Sequence, residues 1–256
     1  MSLEQDHVRA RFARAAGRYD ALADCQREVG THLAELWMRL VSQDTRGPIL
    51  DAGCGTGHGT HLLGRCWPGA DILALDFALP MVAAVVDTGQ RLCADMESLP
   101  LASSSMGGYW SNLAMQWCDS RRVAGEAARV LRPGGWLAVS TLGPGTFAEL
   151  RQAFAGVDAH RHTLVFPARQ AVAAAFTGVG LRITLEQRSL LRHYPDLGSL
   201  LAAVRELGAS RVTGAGRRTG LMGKVAWQRF AANYEALRQP RGLPLSYDVF
   251  FILGQR

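Results

Sequence analysis

The stretch Asp51-Ala52-Gly53-Cys54-Gly55-Thr56-Gly57-His58-Gly59 decides how this chain reads. It follows a short apolar run, Pro48 to Ala52, and leads into a helical pattern at about 57 to 65, so it is a turn between a strand and a helix. Glycines in such a turn let the chain reverse tightly and let a ligand come close to the backbone with no Cβ in the way. The spacing narrows the ligand. A dinucleotide fingerprint, GxGxxG, needs a third glycine at 58 or 60, where His58 and Thr60 stand. A P-loop needs a lysine after its last glycine, and none follows Gly57, Gly59 or Gly64. A phosphate cradle is thus disfavoured, with a plain tight turn as the structural alternative.

Working outward, short apolar runs recur at Asp71 to Leu75, Arg91 to Ala94, Gly107 to Leu113 and Gly135 to Thr141, with helical patterns at about 79 to 87 and 119 to 131. Buried runs of four to seven residues separated by helices predict βαβ units and an open, doubly wound, mainly parallel α/β sheet. Ligands of such sheets bind at the carboxyl ends of the strands. Residues 4 to 42 read as helix, with Val29, Leu33, Leu36, Trp37 and Leu40 at helical spacing. Past residue 145, Leu181 to Tyr194 and Leu245 to Leu253 read as long strands. Leu197 to Leu207 and Val225 to Leu237 read as helices between them, joined by a glycine- and arginine-rich loop. The expected organisation is a single domain over 1–256, with a helical cap at 1–46, a core at 47–180, and two last strands at 181–256 enclosing a helical basic lid at 195–240.

Two more carboxylates end successive predicted strands. Asp76 closes DILALD, at the distance from the glycine turn where an acid grips two ribose hydroxyls, and Asp95 closes RLCAD, where a carboxylate accepts from an adenine amino group. With Asp51, three acids at three strand ends around one glycine turn point to a ligand with a ribose and a base and no phosphate.

Composition bounds the partners. Hydrophobic residues make up 48% of the 256 and charged residues 20%, which suits a folded core and excludes a disordered chain. The longest uncharged stretch, Ser98 to Cys118, is broken by proline, serines, Asn112 and Gln116, so no membrane span is expected. The first residues carry charge without an apolar run, so neither is a secretory signal, and a cytoplasmic setting is expected. The net charge is +6, and residues 161–256 hold 14 of the 28 cations against 5 of the 22 acids. An excess of that kind fits a nucleic acid, an anionic membrane surface or an acidic protein. The five cysteines form no CxxC pair, so neither a disulfide framework nor a metal site is expected.

These residues resemble the Rossmann-like S-adenosylmethionine-dependent methyltransferases. The likeness runs through Leu50 to Gly57, Asp76, Asp95 and Val130-Leu131-Arg132-Pro133-Gly134-Gly135. It implies a seven-stranded sheet with S-adenosyl-L-methionine held by Asp51, Gly53, Gly55, Asp76, Asp95, Met96 and Asn112, and S-adenosyl-L-homocysteine as product. Three further stretches resemble the malonyl-[acyl-carrier protein] O-methyltransferases of biotin synthesis: Phe12 to Gln26, Ser111 to Cys118, and Ser140 to Leu150 with Asp158 and His162 after it. Leu164 and Phe147 depart from that pattern, the first where a polar residue is usual and the second where leucine is commoner.

The family implies methylation of the free carboxylate of malonyl on phosphopantetheine of an acidic acyl-carrier protein, the ester priming pimeloyl and biotin synthesis. A carboxylate with a pKa near ~4 is already a nucleophile at neutral pH, so no general base is required. What is required is alignment and a dry wall. Tyr19, Gln26, Gln116, Trp117 and His162 are the candidates for holding substrate, with Tyr19 and Trp117 as positioning residues. Tyr19 equally reads as a helix-packing residue, Trp117 as core and His162 as structural. Arg192, Arg211, Arg217, Arg218 and Lys224 are candidates for docking the carrier, since Arg182 to Lys224 alone holds 8 cations against 3 acids. No nucleic-acid role is expected, because no aromatic and basic stripe is interleaved. The rival acceptors are a free small acid or a quinone-type molecule.

Overall fold

The computed structural model describes residues 24–41, 47–86, 90–206 and 222–256. The chain divides into two compact units. Among the described residues, the first holds those up to Leu142 together with Pro167–Gln187 and Phe250–Arg256, and the second holds Gly143–Phe166 and those between Arg188 and Val249.

In the first unit, helix α1 (Asp24–Leu40) precedes β1 (Ile49–Ala52), α2 (His58–Cys66), β2 (Ile72–Asp76), α3 (Leu79–Ala84) and β3 (Gln90–Cys93). Then come β4 (Met106–Asn112), a single 3-10 turn (Met115–Trp117), α4 (Ser120–Val130), β5 (Leu131–Leu142) and, after an excursion, α6 (Arg169–Thr177). The sheet runs β3-β2-β1-β4-β5-β7-β6, where β6 (Arg182–Tyr194) and β7 (Leu243–Gln255) each have residues in both units. Pairs β3-β2, β2-β1, β1-β4 and β4-β5 are parallel. Gly135 bonds Arg256 while Gly143 bonds Asp248, so β7 runs against β5 and the sheet is mixed. The chain winds one way through β1, β2 and β3 and the other way through β4 and β5. The switch point therefore lies between the ends of β1 and β4, where a crevice must open.

Every residue of β1 is buried, as expected for a strand covered on both faces. On one face lie Tyr109, Leu137 and Val139 with Val123, Ala127 and Val130 of α4 and Phe176 of α6. On the other, α1 buries Val29, Leu33, Leu36 and Trp37 at helical spacing. The Trp37 ring lies 4.8 Å from Trp67 and 5.7 Å from Trp110. Gly108 makes that seat, since a Cβ there would stand 3.0 Å from the Trp37 ring. Asp119 caps α4, its carboxylate accepting the Arg121 N–H at 2.9 Å.

The second unit contains α5 (Ala148–Phe154), α7 (Leu197–Glu206), α8 (Lys224–Glu235) and the outer parts of β6 and β7. Its interior is Phe147, Leu150, Leu200, Val204, Phe230, Tyr234, Leu245 and Tyr247. Glu149 ties α5 to β7 by accepting the Ser246 N–H at 2.9 Å, and Tyr234 donates to the Pro244 carbonyl at 2.9 Å.

Three elements depart from the sequence reading. Helices α5 and α6 stand where no helix was assigned: α5 has only seven residues and starts from Phe147 in a left-handed conformation (φ 60°), so it offers little periodicity. Helix α3 ends at Ala84, short of 87, because Val85 turns to extended backbone (φ −69°, ψ 123°), which its branched side chain favours.

Candidate functional site

The crevice at the switch point has two arms, both within the first unit. One, about 710 Å³, is lined by Gly53, Gly55, Leu75, Asp76, Phe77, Ala94, Asp95, Met96, Asn112, Leu113, Ala114, Trp117 and Cys118. The other, about 1080 Å³, is lined by residues that include Gln26, Arg27, Asp51, Gly53, Gly55, His58, His61 and Asn112. Gly53, Gly55 and Asn112 border both arms.

The glycine turn is built for close approach. Gly53 sits at φ 78°, and a Cβ there would overlap that of Ala114 at 2.3 Å. Only glycine fits. Gly55 and Gly57 also take left-handed backbone, φ 54° and 101°. Gly59 lies against Asp51, whose carboxylate would be 2.9 Å from a Cβ added there.

Three carboxylates stand around this turn. Asp51 is 1% exposed and accepts the Thr60 hydroxyl at 2.7 Å. Burial raises its pKa to about 7, against the pull of the Thr60 hydrogen bond, and the neighbouring Asp76 adds to the rise. Asp76, 7% exposed, accepts the Gly55 N–H at 3.1 Å on one oxygen and the Ala78 N–H at 2.9 Å on the other. Burial again pushes its carboxyl up, and those backbone donors oppose it. The Phe77 N–H is a third backbone donor, and since a carboxylate has about four acceptor positions Asp76 retains capacity for one more. Asp95 accepts the Glu97 N–H at 2.9 Å. The thiols of Cys54 and Cys118 are pushed far above the usual thiol range by burial and by nearby carboxylates, so neither is a nucleophile.

Asn112 joins the strands to α1. Its Nδ2 donates to the Gln26 carbonyl at 2.9 Å and its Oδ1 accepts from the Ser140 hydroxyl at 2.7 Å. Gly30 lets α1 come this close, since a Cβ there would stand 3.0 Å from Asn112 Nδ2.

A nucleoside with a cationic tail fits this set. Asp76 and Asp95 offer acceptors to hydroxyls and an amino group, while Leu75, Ala94, Met96, Leu113 and Cys118 give an apolar slot for a base. Asp51, costly to ionise when buried, gains from a positive charge nearby. An anionic phosphate would meet three carboxylates instead.

A methyltransferase domain family matches residues 50–139. The malonyl-[acyl-carrier protein] O-methyltransferase of Dechloromonas aromatica (strain RCB) is 43% identical over 97% of this chain and 94% of its own length. The enzyme of the same name from Herminiimonas arsenicoxydans is 38% identical over 96% of this chain and 94% of its own. The chain belongs to the malonyl-[acyl-carrier protein] O-methyltransferase family. Among solved structures, the YcgJ protein of Bacillus subtilis matches the fold of this methyltransferase with a TM-score of 0.60 at 16% identity, over 88% of this chain and 98% of that one.

The structure brings Asp51, Gly53, Gly55, Asp76, Asp95, Met96, Asn112, Gln26 and Trp117 of this methyltransferase to the crevice. Gln116 does not line it: its side-chain amide folds back onto the Leu113 carbonyl. His162 lies in the second unit, its Nε2 paired with Asp158 at 2.8 Å and its ring stacked on Phe154 at 3.5 Å. Burial would raise the Asp158 carboxyl, but the hydrogen bonds from His162 and His160 outweigh it and hold the group below the usual carboxylate range. Arg192 and Lys224 also lie in the second unit, Lys224 exposed at the start of α8. Tyr19, Arg211, Arg217 and Arg218 lie outside the described residues. Ser140, Thr60 and Arg27 escaped the sequence reading. The signal for Ser140 was a polar residue inside the run Leu137 to Leu142.

Among the described residues no group of three His, Cys, Asp or Glu side chains is placed to hold a metal, and no helix is long and apolar enough to cross a membrane.

Proposed function

We propose that this chain binds S-adenosyl-L-methionine in the crevice and methylates the free carboxylate of malonyl carried on an acyl-carrier protein, in the cytoplasm and in the service of biotin synthesis. The observation that carries the reading is the Asp76 carboxylate, buried at the foot of the crevice and bonded to Gly55, with Asp95 and Met96 beside it. The relatives' shared name, over nearly the whole of this chain, supports the acceptor.

When bound, S-adenosyl-L-methionine supplies a methyl group on a sulfonium, and S-adenosyl-L-homocysteine is left. The chain's residues do the rest by holding and excluding. Asp76 offers its remaining acceptor position to the ribose. Asp95 and Met96 border the base, and Gly53 and Gly55 leave backbone room for the tail. Trp117 presents an aromatic face that favours a cation, and it excludes water from the same wall. Asp51 balances positive charge at the glycine turn. No side chain has to remove a proton, since the acceptor carboxylate is ionised at neutral pH.

Tyr19, Gln26 and His162 are proposed to contact the acceptor. Arg192, Arg211, Arg217, Arg218 and Lys224 are proposed to meet the carrier, whose acidity would complement the excess of cations in residues 161–256. The test is mass spectrometry on malonyl-carrier, free malonate and malonyl-CoA with the same enzyme. Gain of one methyl on the carrier far ahead of the other two is expected. Methylation of a free acid with none on the carrier would overturn the acceptor assignment.

A further inference from the structure

Ser140 lies on β5 beside Asn112 of β4 and is fully buried. Its hydroxyl donates to Asn112 Oδ1 at 2.7 Å and accepts the Leu113 N–H at 2.9 Å. The same N–H also reaches the Ser140 carbonyl at 3.2 Å. Leu113 needs this hold, because its backbone is left-handed (φ 47°), a conformation unfavourable for a leucine. That turn sends the chain off the end of β4 and sets Ala114 against Gly53 of the glycine turn. Asn112, held on the other side, passes its amide to the Gln26 carbonyl of α1.

The neighbouring hydroxyls set Ser140 apart. Ser111 and Thr141 are equally buried, yet neither hydroxyl has a partner among the described residues. One hydroxyl of the three is wired, and it joins the three walls of the crevice: the glycine turn through Leu113 and Ala114, the end of β4 through Asn112, and α1 through Gln26.

We infer that Ser140 is a positioning residue, a buried latch whose hydroxyl sets the spacing of the crevice walls and docks α1 on the end of β4. The inference rests on the cofactor reading for its consequence, while the latch itself is a property of the ligand-free chain. Removing the hydroxyl leaves Asn112 Oδ1 without its donor and Leu113 with the weaker of its two acceptors. Asn112 then swings, Gln26 is released, and the crevice loses its fixed width.

Gly30 supplies an independent lever. In mid-helix alanine is favoured over glycine, so Gly30→Ala would strengthen α1 in isolation. A Cβ at that position crowds Asn112 Nδ2, so the latch requires the opposite effect on the crevice.

The test uses the whole chain with Ser140→Ala, Gly30→Ala and, as control, Thr141→Val. Hydrogen exchange of the ligand-free protein and calorimetry of S-adenosylhomocysteine binding are the readouts. Ser140→Ala is expected to speed exchange at Leu113 and in the first turns of α1, and to weaken S-adenosylhomocysteine by about tenfold, the worth of one or two buried hydrogen bonds. Gly30→Ala is expected to weaken it in the same direction, and Thr141→Val to leave it within about twofold. Unchanged affinity in Ser140→Ala, or exchange raised evenly across the sheet, would overturn the latch. If Ser140→Ala does not fold, tighter or unchanged binding by Gly30→Ala overturns it equally. A wild-type chain that binds no S-adenosylhomocysteine would sink the cofactor reading, and the exchange pattern would still decide the latch.

Discussion

The Asp76 carboxylate and the Gly55 N–H lie 3.1 Å apart across 21 positions of sequence, so the acid at the end of β2 and the turn after β1 form one piece. Changing Asp76 therefore alters two things, the acceptor for a ligand and the set of the glycine turn. Asp76→Ala is expected to weaken S-adenosylhomocysteine by about 10- to 100-fold, as for loss of hydrogen bonds to a charged group. Calorimetry showing wild-type affinity would remove Asp76 from the site.

Asp51 gives a pH dependence with a definite sign. Its carboxyl titrates near 7 in the folded, ligand-free chain, against an ordinary value of 3.8, and burial is the chief cause. Since the folded pKa is raised, this group favours the fold most below the ordinary value, and that contribution is lost as pH rises through 7. Ligand binding runs the other way. A cationic tail prefers the ionised carboxylate, so affinity for S-adenosylmethionine is expected to fall as pH drops from 8 to 6. Asp51→Asn should flatten that slope and weaken binding at pH 8. A slope that persists in the variant assigns the titration elsewhere.

Two glycines with similar backbone separate crowding from strain. Gly53 (φ 78°) would place a Cβ 2.3 Å from Ala114, while Gly69 (φ 85°) has nothing within 4 Å. Gly69→Ala is expected to cost roughly 1–2 kcal/mol, the conformational penalty alone. Gly53→Ala adds overpacking, about 1–3 kcal/mol more. Urea unfolding of the pair measures the difference, and equal losses would mean that Ala114 yields without cost.

The order of strands and helices from Pro48 to Thr141 was legible because the inner strands β1, β2 and β4 are largely buried and read as short runs between helical patterns. The cofactor-facing acids were legible for a related reason: in such runs a carboxylate at the end has no packing role to explain it. Gln116 misled, since its place beside Trp117 says nothing of the 3-10 turn that folds its amide onto Leu113. Ser140 and Gly30 stayed hidden because their shared partner, Asn112, lies 28 and 82 positions from them along the chain, and only the parallel register of β4 with β5 brings Ser140 to it. Helix α5 stayed hidden because seven residues show less than two full turns of periodicity.

Charge separates the carrier from a free acid as acceptor. Between Glu206 and Glu235 the sequence holds Arg211, Arg217, Arg218, Lys224 and Arg229 and no acidic residue. Such a run attracts an acidic protein at a range set by the Debye length, about 10 Å at 0.1 M salt. A small acid would need no such surface. Reversing Arg217 and Arg218 to Glu is expected to raise KM for malonyl-carrier by about tenfold at low salt, with kcat and S-adenosylhomocysteine affinity unchanged. The gap between variant and wild type should narrow as salt is raised, because screening weakens an attraction that the variant has already lost. Steady-state kinetics at two ionic strengths make the measurement, and equal KM values at low salt would place carrier recognition away from this segment.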